Sequence, residues 1–405
     1  MSNLWTEHFA DRTSRMKVSA IRELLRVAAL PEIISFAGGL PATNMLPLEE
    51  VATATENVLR KYRHSALQYG PTEGYEPLRE QIATMYQARG VQVTTDNILL
   101  LSGSQQGLDF VGRIFVDDGT SVLVEAPTYV GALQAWWPFA PRFLTVPTDS
   151  DGMLVDQTEK LDPFRFVYLL PNFQNPSGIT LSEERRRAVI ETIHNRGALI
   201  VEDDPYRELR YNGQDIPSLV EIEGQQLGAD WNERGRVIHL GTFSKSLAPG
   251  LRVGWAVAPT PVIRQMVLAK QGADLHTSTL TQMIVSELLA ENTIQRNVPQ
   301  LRAVYRERRD AMLDALAQYV GSQATWTHPD GGLFLWLRLS DSFDTQALLE
   351  RALEKQVAYV PGSAFYVDGS GTNELRLNFS SMPPERIRDG VQRLASLITE
   401  PILSV

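Results

Sequence analysis

The chain has no cysteine among its 405 residues. That excludes disulfides, thiolate nucleophiles, zinc–thiolate sites and iron–sulfur clusters. Histidine is scarce: His8, His64, His194, His239, His276 and His328 are scattered, and none forms a His-x-x-x-His pair, so a metal site has little support. No apolar run approaches the ~20 residues needed to span a bilayer. Met1 to Arg15 is polar and mixed in charge, without the apolar stretch of a secretory signal; the cytoplasm is the expected location. Basic charge is also short, with 38 Lys and Arg against 48 Asp and Glu and a net charge of −10. The basic field that holds nucleic acid non-specifically is therefore missing. Gly-x-Gly-x-x-Gly and a Walker lysine are absent too, and with them the nucleotide fingerprints. What is present is ordinary for a globular protein, 43% hydrophobic and 21% charged. The length suits two domains, or one large domain with an appendage.

From about residue 75 to 258 short apolar segments alternate with helical ones. Strands are expected at Ile98–Leu101, Ser121–Glu125, Phe143–Val146, Phe166–Leu170, Ala198–Glu202, Val237–Leu240 and Val253–Val257. Between two of them, Glu183–Asn195 carries Val189, Ile190 and Ile193 on one side. Such alternation predicts an α/β domain whose mainly parallel, seven-stranded sheet lies between helices. Ligands in such sheets bind at the carboxyl ends of the strands. After about residue 280 the pattern changes. Helical stretches (Gln282–Leu289, Arg302–Tyr319) lead to strands near Ala324–Trp326, Leu333–Leu337 and Glu374–Asn378, as in a smaller α+β domain. The expected division is an N-terminal arm and helix over 1–45 packing with the small domain, a large domain over 46–285, and a small C-terminal domain over 286–405.

Several motifs fall just past expected strand ends. Lys245 lies in Gly241-Thr242-Phe243-Ser244-Lys245-Ser246, with Arg252 seven residues on. A lysine at the end of a buried strand is costly unless its amine is paired, neutralised or used covalently. Two hydroxyls and an arginine beside it suit a lysine that forms an imine while its neighbours hold a phosphate; pyridoxal 5′-phosphate (PLP) needs both. The plain alternative is a surface-loop lysine with Ser244 as a helix cap. Asp203 and Tyr206 sit in Glu202-Asp203-Asp204-Pro205-Tyr206, where a carboxylate at a buried strand end calls for a cation such as a protonated pyridine nitrogen; a turn alone explains Asp204 and Pro205. Asn175-Pro176-Ser177-Gly178 is a turn, or a turn whose Asn175 bonds a phenolate oxygen and a carboxylate. Ser102-Gly103-Ser104-Gln105 opens a helix, as a cap or as a phosphate site. Tyr129 is a core or rim tyrosine, or one that stacks on a planar ring. Arg376, in Glu374-Leu375-Arg376-Leu377, alternates away from its leucines, either exposed or as a bidentate clamp for a carboxylate.

Gly-Ser-Gln, Pro-Thr-Tyr, Asn-Pro-Ser-Gly, Glu-Asp-Asp-Pro-Tyr, Ser-Lys with Pro-Gly-Leu-Arg, and a late Leu-Arg-Leu occur in that order. This ordered set spans nearly the whole chain and resembles the fold-type I PLP-dependent aminotransferases of the class I/II group. Ile21-Arg22-Glu23-Leu24-Leu25, Ser35-Phe36-Ala37-Gly38-Gly39-Leu40-Pro41, Leu67-Gln68-Tyr69-Gly70 and Lys270-Gln271-Gly272-Ala273-Asp274-Leu275-His276 are similar to the 2-aminoadipate aminotransferase subgroup. That subgroup includes kynurenine aminotransferase II-like enzymes and bacterial enzymes of lysine biosynthesis.

The resemblance implies that Lys245 carries the cofactor and that Asp203 pairs with its pyridine nitrogen. Asn175 and Tyr206 would hold the ring oxygen, and Tyr129 would stack on the ring. Ser104, Gln105, Thr242, Ser244 and Arg252 would hold the phosphate, joined by Tyr69 from a second subunit of a homodimer. Arg376 would grip the substrate α-carboxylate with help from Asn175 and the backbone at Gly39. Arg22 would read a distal carboxylate, or would be an exposed helix arginine paired with an acid. The implied reaction is ping-pong transfer of an amino group from 2-aminoadipate, glutamate, leucine or an aromatic amino acid to 2-oxoglutarate. Partners would be small molecules, not nucleic acid or membrane. Same-fold alternatives are a lyase or decarboxylase, or the effector domain of a PLP-dependent transcription regulator, which the short arm before the expected fold and the acidic charge disfavour. Ser177 and Thr242 stand where relatives more often have threonine and serine, and Gly70 where they often have serine.

Overall fold

In this computed structural model the structure is described for residues 4–16, 24 and 30–399. Strand β1 (Ile34–Ser35) is followed by helices α1 (Leu48–Tyr62) and α2 (Glu76–Gln87). Alternation then begins with β2 (Ile98–Leu101), α3 (Ser104–Phe115), β3 (Ser121–Ala126), α4 (Val130–Trp136), β4 (Arg142–Asp149) and β5 (Gly152–Met153). It continues through β6 (Phe166–Leu169), α5 (Glu183–Asn195), β7 (Leu199–Asp204), α6 (Leu219–Leu227), α7 (Trp231–Arg234), β8 (Val237–Thr242) and β9 (Gly254–Val257). Helices α8 (Thr260–Gln271), α9 (Thr279–Ala290) and α10 (Thr293–Tyr319) lead to β10 (Ala324–Trp326) and β11 (Phe334–Leu339). Last come α11 (Thr345–Glu354), β12 (Val357–Ala358), β13 (Val360–Pro361), β14 (Glu374–Asn378) and α12 (Pro384–Thr399).

The large sheet has eight strands in the order β2-β9-β8-β7-β6-β3-β4-β5. The run from β8 to β4 is parallel, whereas β9 is antiparallel to both neighbours. All seven expected strands are present. The eighth, β5, is two residues long and folds back antiparallel on β4, too short to show any periodicity. Apolar runs such as Ile98–Leu101 and Phe166–Leu169 are buried at every position, because helices cover both faces. Side chains alternate between the faces: Leu99 and Leu101 join one core cluster, Ile98 and Leu100 the other.

The smaller sheet is antiparallel, in the order β10-β11-β14-β13. Its register sets Trp336 opposite Arg376. Strand β1 pairs in parallel with β12, tying the early chain to its far end. Helix α10 begins earlier than the expected Arg302 and runs through Pro299. The proline removes one backbone donor, while buried Val298, Leu301 and Tyr305 keep the helix packed across it. None of the helices among the described residues is long and apolar enough to cross a membrane.

Candidate active site

Parallel strands end together, so residues just past their carboxyl ends converge. Here they line a cavity of about 760 Å³. Its walls carry twelve of the residues singled out in the sequence: Gly39, Ser104, Gln105, Tyr129, Asn175, Asp203, Tyr206, Thr242, Ser244, Lys245, Arg252 and Arg376. Lys245 enters on the turn after β8. Its amine donates to the Gly39 carbonyl at 2.7 Å. Burial, reinforced by the positive charges of Arg252 and Arg376, pulls that amine down to about 8. A neutral, nucleophilic fraction is thus present near neutral pH.

On β7 three acids follow one another and alternation separates them. Glu202 accepts from the backbone N–H groups of Leu219 (2.7 Å) and Val220 (3.1 Å) and faces His239 Nδ1 at 2.9 Å. Burial opposes its charge, but His239 and these donors outweigh it and hold Glu202 below the usual carboxylate range. Asp204 takes both its contacts from Asn172 Nδ2 at 3.0 Å. Asp203 points the other way, into the cavity. Its Oδ2 accepts the Tyr168 hydroxyl at 3.0 Å, while Oδ1 is buried with no hydrogen-bond partner in the protein. Burial, only partly offset by Tyr168, pushes the Asp203 carboxyl up to about 7. A cationic donor at Oδ1 would reverse that rise.

One end of the cavity is built for an anion. Helix α3 is preceded by Gly103, which has φ of 89° and offers no side-chain cap, so the first N–H groups stay available. A Cβ at Gly103 would run into the Arg252 guanidinium. That guanidinium donates to the Ser102 carbonyl at 3.0 Å and approaches Ser244 Oγ at 3.5 Å. The hydroxyls of Thr242 and Ser244 lie 2.9 Å apart. Tyr129 rests on the same side, its hydroxyl donating to Gln105 Oε1 at 3.3 Å.

At another wall Arg376 is 3% exposed. It donates to Asn175 Oδ1 at 2.7 Å and to the Ala37 carbonyl at 2.6 Å, and Nε has no partner. Its guanidinium carbon sits 4.2 Å from the Phe334 ring centre and 5.0 Å from that of Phe365. Burial draws it down to about 10, so it stays charged at neutral pH. Tyr206 meets Phe334 edge-on at 6.0 Å, and burial raises its hydroxyl above the usual range.

Two candidates are not brought in. Tyr69 is 78% exposed, touches His276 edge-on at 5.7 Å, and does not line this cavity. Arg22 lies outside the described residues. Tyr168 and Phe334 had not been singled out: each sits inside an apolar strand, where an aromatic reads as core.

These features define a site for a planar, phosphorylated pyridine aldehyde. They are a depressed lysine amine, an unanswered buried carboxylate, an anion cradle and a separate buried guanidinium. The residues fit PLP, and the unpartnered Asp203 Oδ1 is the most specific feature. The chain belongs to the aminotransferase class I and II family, which matches residues 31–394; it is a PLP-dependent aminotransferase of fold type I. An aromatic-amino-acid aminotransferase 1 from Thermococcus litoralis is 42% identical, over 98% of this chain and 95% of its own. A 2-aminoadipate transaminase from Thermus thermophilus is 45% identical, over 96% of each chain. The crystal structure of an alpha-aminoadipate aminotransferase from Thermus thermophilus, complexed with N-(5′-phosphopyridoxyl)-L-leucine, is 44% identical, with a TM-score of 0.90 over 98% of each chain.

Proposed function

We propose that this aminotransferase moves the amino group of an L-amino acid to 2-oxoglutarate in a ping-pong cycle, with 2-aminoadipate and glutamate, and also leucine and aromatic amino acids, as donors. One observation carries the reading: the Lys245 amine, the bare Asp203 Oδ1 and the buried Arg376 guanidinium face a single cavity. When bound, PLP supplies electron withdrawal from the substrate α-carbon. Asp203 would hold a positive charge on the pyridine nitrogen. Asn175 and Tyr206 would hold the ring oxygen, and Tyr129 would cover one ring face. Ser104, Gln105, Thr242, Ser244 and Arg252 would hold the phosphate. Arg376 would grip the substrate α-carboxylate, its stack on Phe334 and its bond to Asn175 fixing the orientation of the fork. Lys245 Nζ would take the α-carbon proton as base.

The donor range is supported by the relatives named for aromatic amino acids and 2-aminoadipate and by the leucine adduct. Arg22 is the residue proposed to read a distal carboxylate. In the same reading the chain is a cytoplasmic homodimer, 46–285 binding the cofactor and 286–405 forming the small domain. Tyr69, exposed and outside its own cavity, suits service to a second subunit. A role in lysine biosynthesis would follow from a preference for 2-aminoadipate. The test is a panel of amino acids with PLP and 2-oxoglutarate, reading glutamate and the matching 2-oxo acid. Parallel double-reciprocal lines and loss of all turnover in Lys245→Ala are expected. Carbon dioxide or ammonia in place of glutamate would overturn the reading. Arg22→Ala should lower kcat/KM for 2-aminoadipate more than for leucine; equal losses would remove Arg22 from the site.

A further inference from the structure

A hydrogen-bonded cluster lies behind the anion cradle, and no residue in it lines the cavity. Lys270, on the last turn of α8, has a side chain 0% exposed. An ammonium so buried is costly unless fully paired. Its Nζ donates to Gln106 Oε1 at 2.8 Å and to both Asp274 oxygens at 3.0 Å. Asp274 Oδ2 also accepts Gln106 Nε2 at 2.8 Å and the Ser102 hydroxyl at 3.1 Å. Gln106 Oε1 accepts the Ser102 backbone N–H at 2.9 Å. The remaining polar group of Ser102, its carbonyl, is the 3.0 Å acceptor of Arg252. Every hydrogen-bonding group of Ser102 is therefore committed: its N–H to the cluster, its carbonyl to the arginine, and its hydroxyl to Asp274, with Thr277 Oγ1 also 3.3 Å away. The next residues are Gly103, against which Arg252 packs, and Ser104 and Gln105, which line the cavity.

We propose that Lys270, Asp274 and Gln106 are positioning residues that fix the Ser102 turn, and through it both Arg252 and the start of α3, so that they govern affinity for the phosphate of the cofactor. The inference rests on the assignment of this end of the cavity to the PLP phosphate. The cluster touches neither ring nor substrate, so its effect is confined to the phosphate end. Without the Lys270 charge, Asp274 is left with amide and hydroxyl donors and water, the Asp274–Gln106 anchor of the Ser102 turn loosens, and the acceptor that Ser102 offers Arg252 is held less firmly.

The experiment uses cofactor-free full-length protein. Dissociation constants are measured for PLP, for pyridoxal, which lacks the phosphate, and for inorganic phosphate as a competitor. Lys270→Met should weaken PLP by about tenfold or more, equivalent to about 1.4 kcal/mol, and weaken inorganic phosphate in parallel. Pyridoxal should change by less than about twofold, and Lys270→Arg should recover part of the loss. Equal weakening of PLP and pyridoxal, or unchanged PLP affinity in a folded variant, overturns the proposal. Should Lys270→Met fail to fold by circular dichroism, Gln106→Met, which leaves the Lys270–Asp274 pair intact, is held to the same two outcomes. If the wild-type protein binds pyridoxal and PLP equally, the phosphate assignment itself fails, a result distinct from a silent variant of a protein that prefers PLP.

Discussion

Asp203 differs from its neighbours Glu202 and Asp204 in having one oxygen that nothing in the protein answers. Its position at the end of a buried strand made it a candidate in the sequence, and the family resemblance singled it out from its acidic neighbours. Tyr168, which orients its other oxygen, was not legible. It lies in the apolar run Phe166–Leu169, and only the pairing of β6 with β7, which sets Tyr168 beside Val201, brings its hydroxyl to Asp203. Asp203→Asn keeps the shape of this residue but removes its charge. We expect kcat to fall by about 10²–10³-fold, in line with the removal of one electrostatic stabiliser, with an unchanged circular dichroism spectrum. A kcat within about twofold of wild type would remove the carboxylate from the electrostatics of the reaction. Arg376→Lys tests the clamp. Lysine keeps a charge but neither the fork nor the guanidinium contact with the Phe334 ring. An increase of about tenfold or more in amino-acid KM is expected, and an unchanged KM would place substrate binding elsewhere.

Elements long enough to repeat a pattern were readable, and the shortest were not. The seven expected strands of the large sheet are all found, but β1, β5, β12 and β13 have two residues each, a length at which neither period can be expressed. Whereas β5 turns straight back on its neighbour β4, the pairing of β1 with β12 comes from contacts distant in sequence. The same distance hid the bond from Lys245 to Gly39 and the place of Phe334 under Arg376. Helix α4 illustrates how an element holds the site at one remove. Trp136, on its last turn, is fully buried and donates to the Leu108 carbonyl of α3 at 2.8 Å. It meets Phe166 edge-on at 5.2 Å and Tyr168 at 5.4 Å. Trp136→Ala removes this wedge between two helices and a strand. Denaturant unfolding should show a loss of about 3–5 kcal/mol, the range for a large aromatic deleted from a core. A loss below about 1 kcal/mol would mean that the helices close over the gap.

At the scale of the whole molecule, the cavity is a source of instability that a bound cofactor would relieve. Asp203 has a carboxyl near 7 in the folded protein against about 3.9 unfolded. Between those values the folded state keeps a proton that the unfolded state has released, so stability falls as pH rises through that window and the full deficit stands above 7. Lys245 runs the other way: its amine is near 8 when folded and about 10.4 unfolded. Its deficit is complete below 8 and shrinks as pH rises toward 10.4. Both deficits are therefore at their fullest together between 7 and 8, where the enzyme would bind PLP. A bound pyridinium would answer Asp203 and covalent use would remove the charged Lys245 amine, so saturating PLP should raise the Tm more at about pH 7.5 than at about pH 5.5, where only about half of the Asp203 deficit has developed beside that of the lysine. Glu125, also buried and pushed up to about 7, lies away from the cavity lining and contributes equally with and without cofactor. Asp203→Asn isolates the carboxylate: its cofactor-free form should lack the Asp203 share of the decline in Tm between those two pH values, and its PLP upshift should vary less with pH. Identical upshifts at both pH values, in wild type and variant alike, would show that Asp203 is already compensated in the cofactor-free protein.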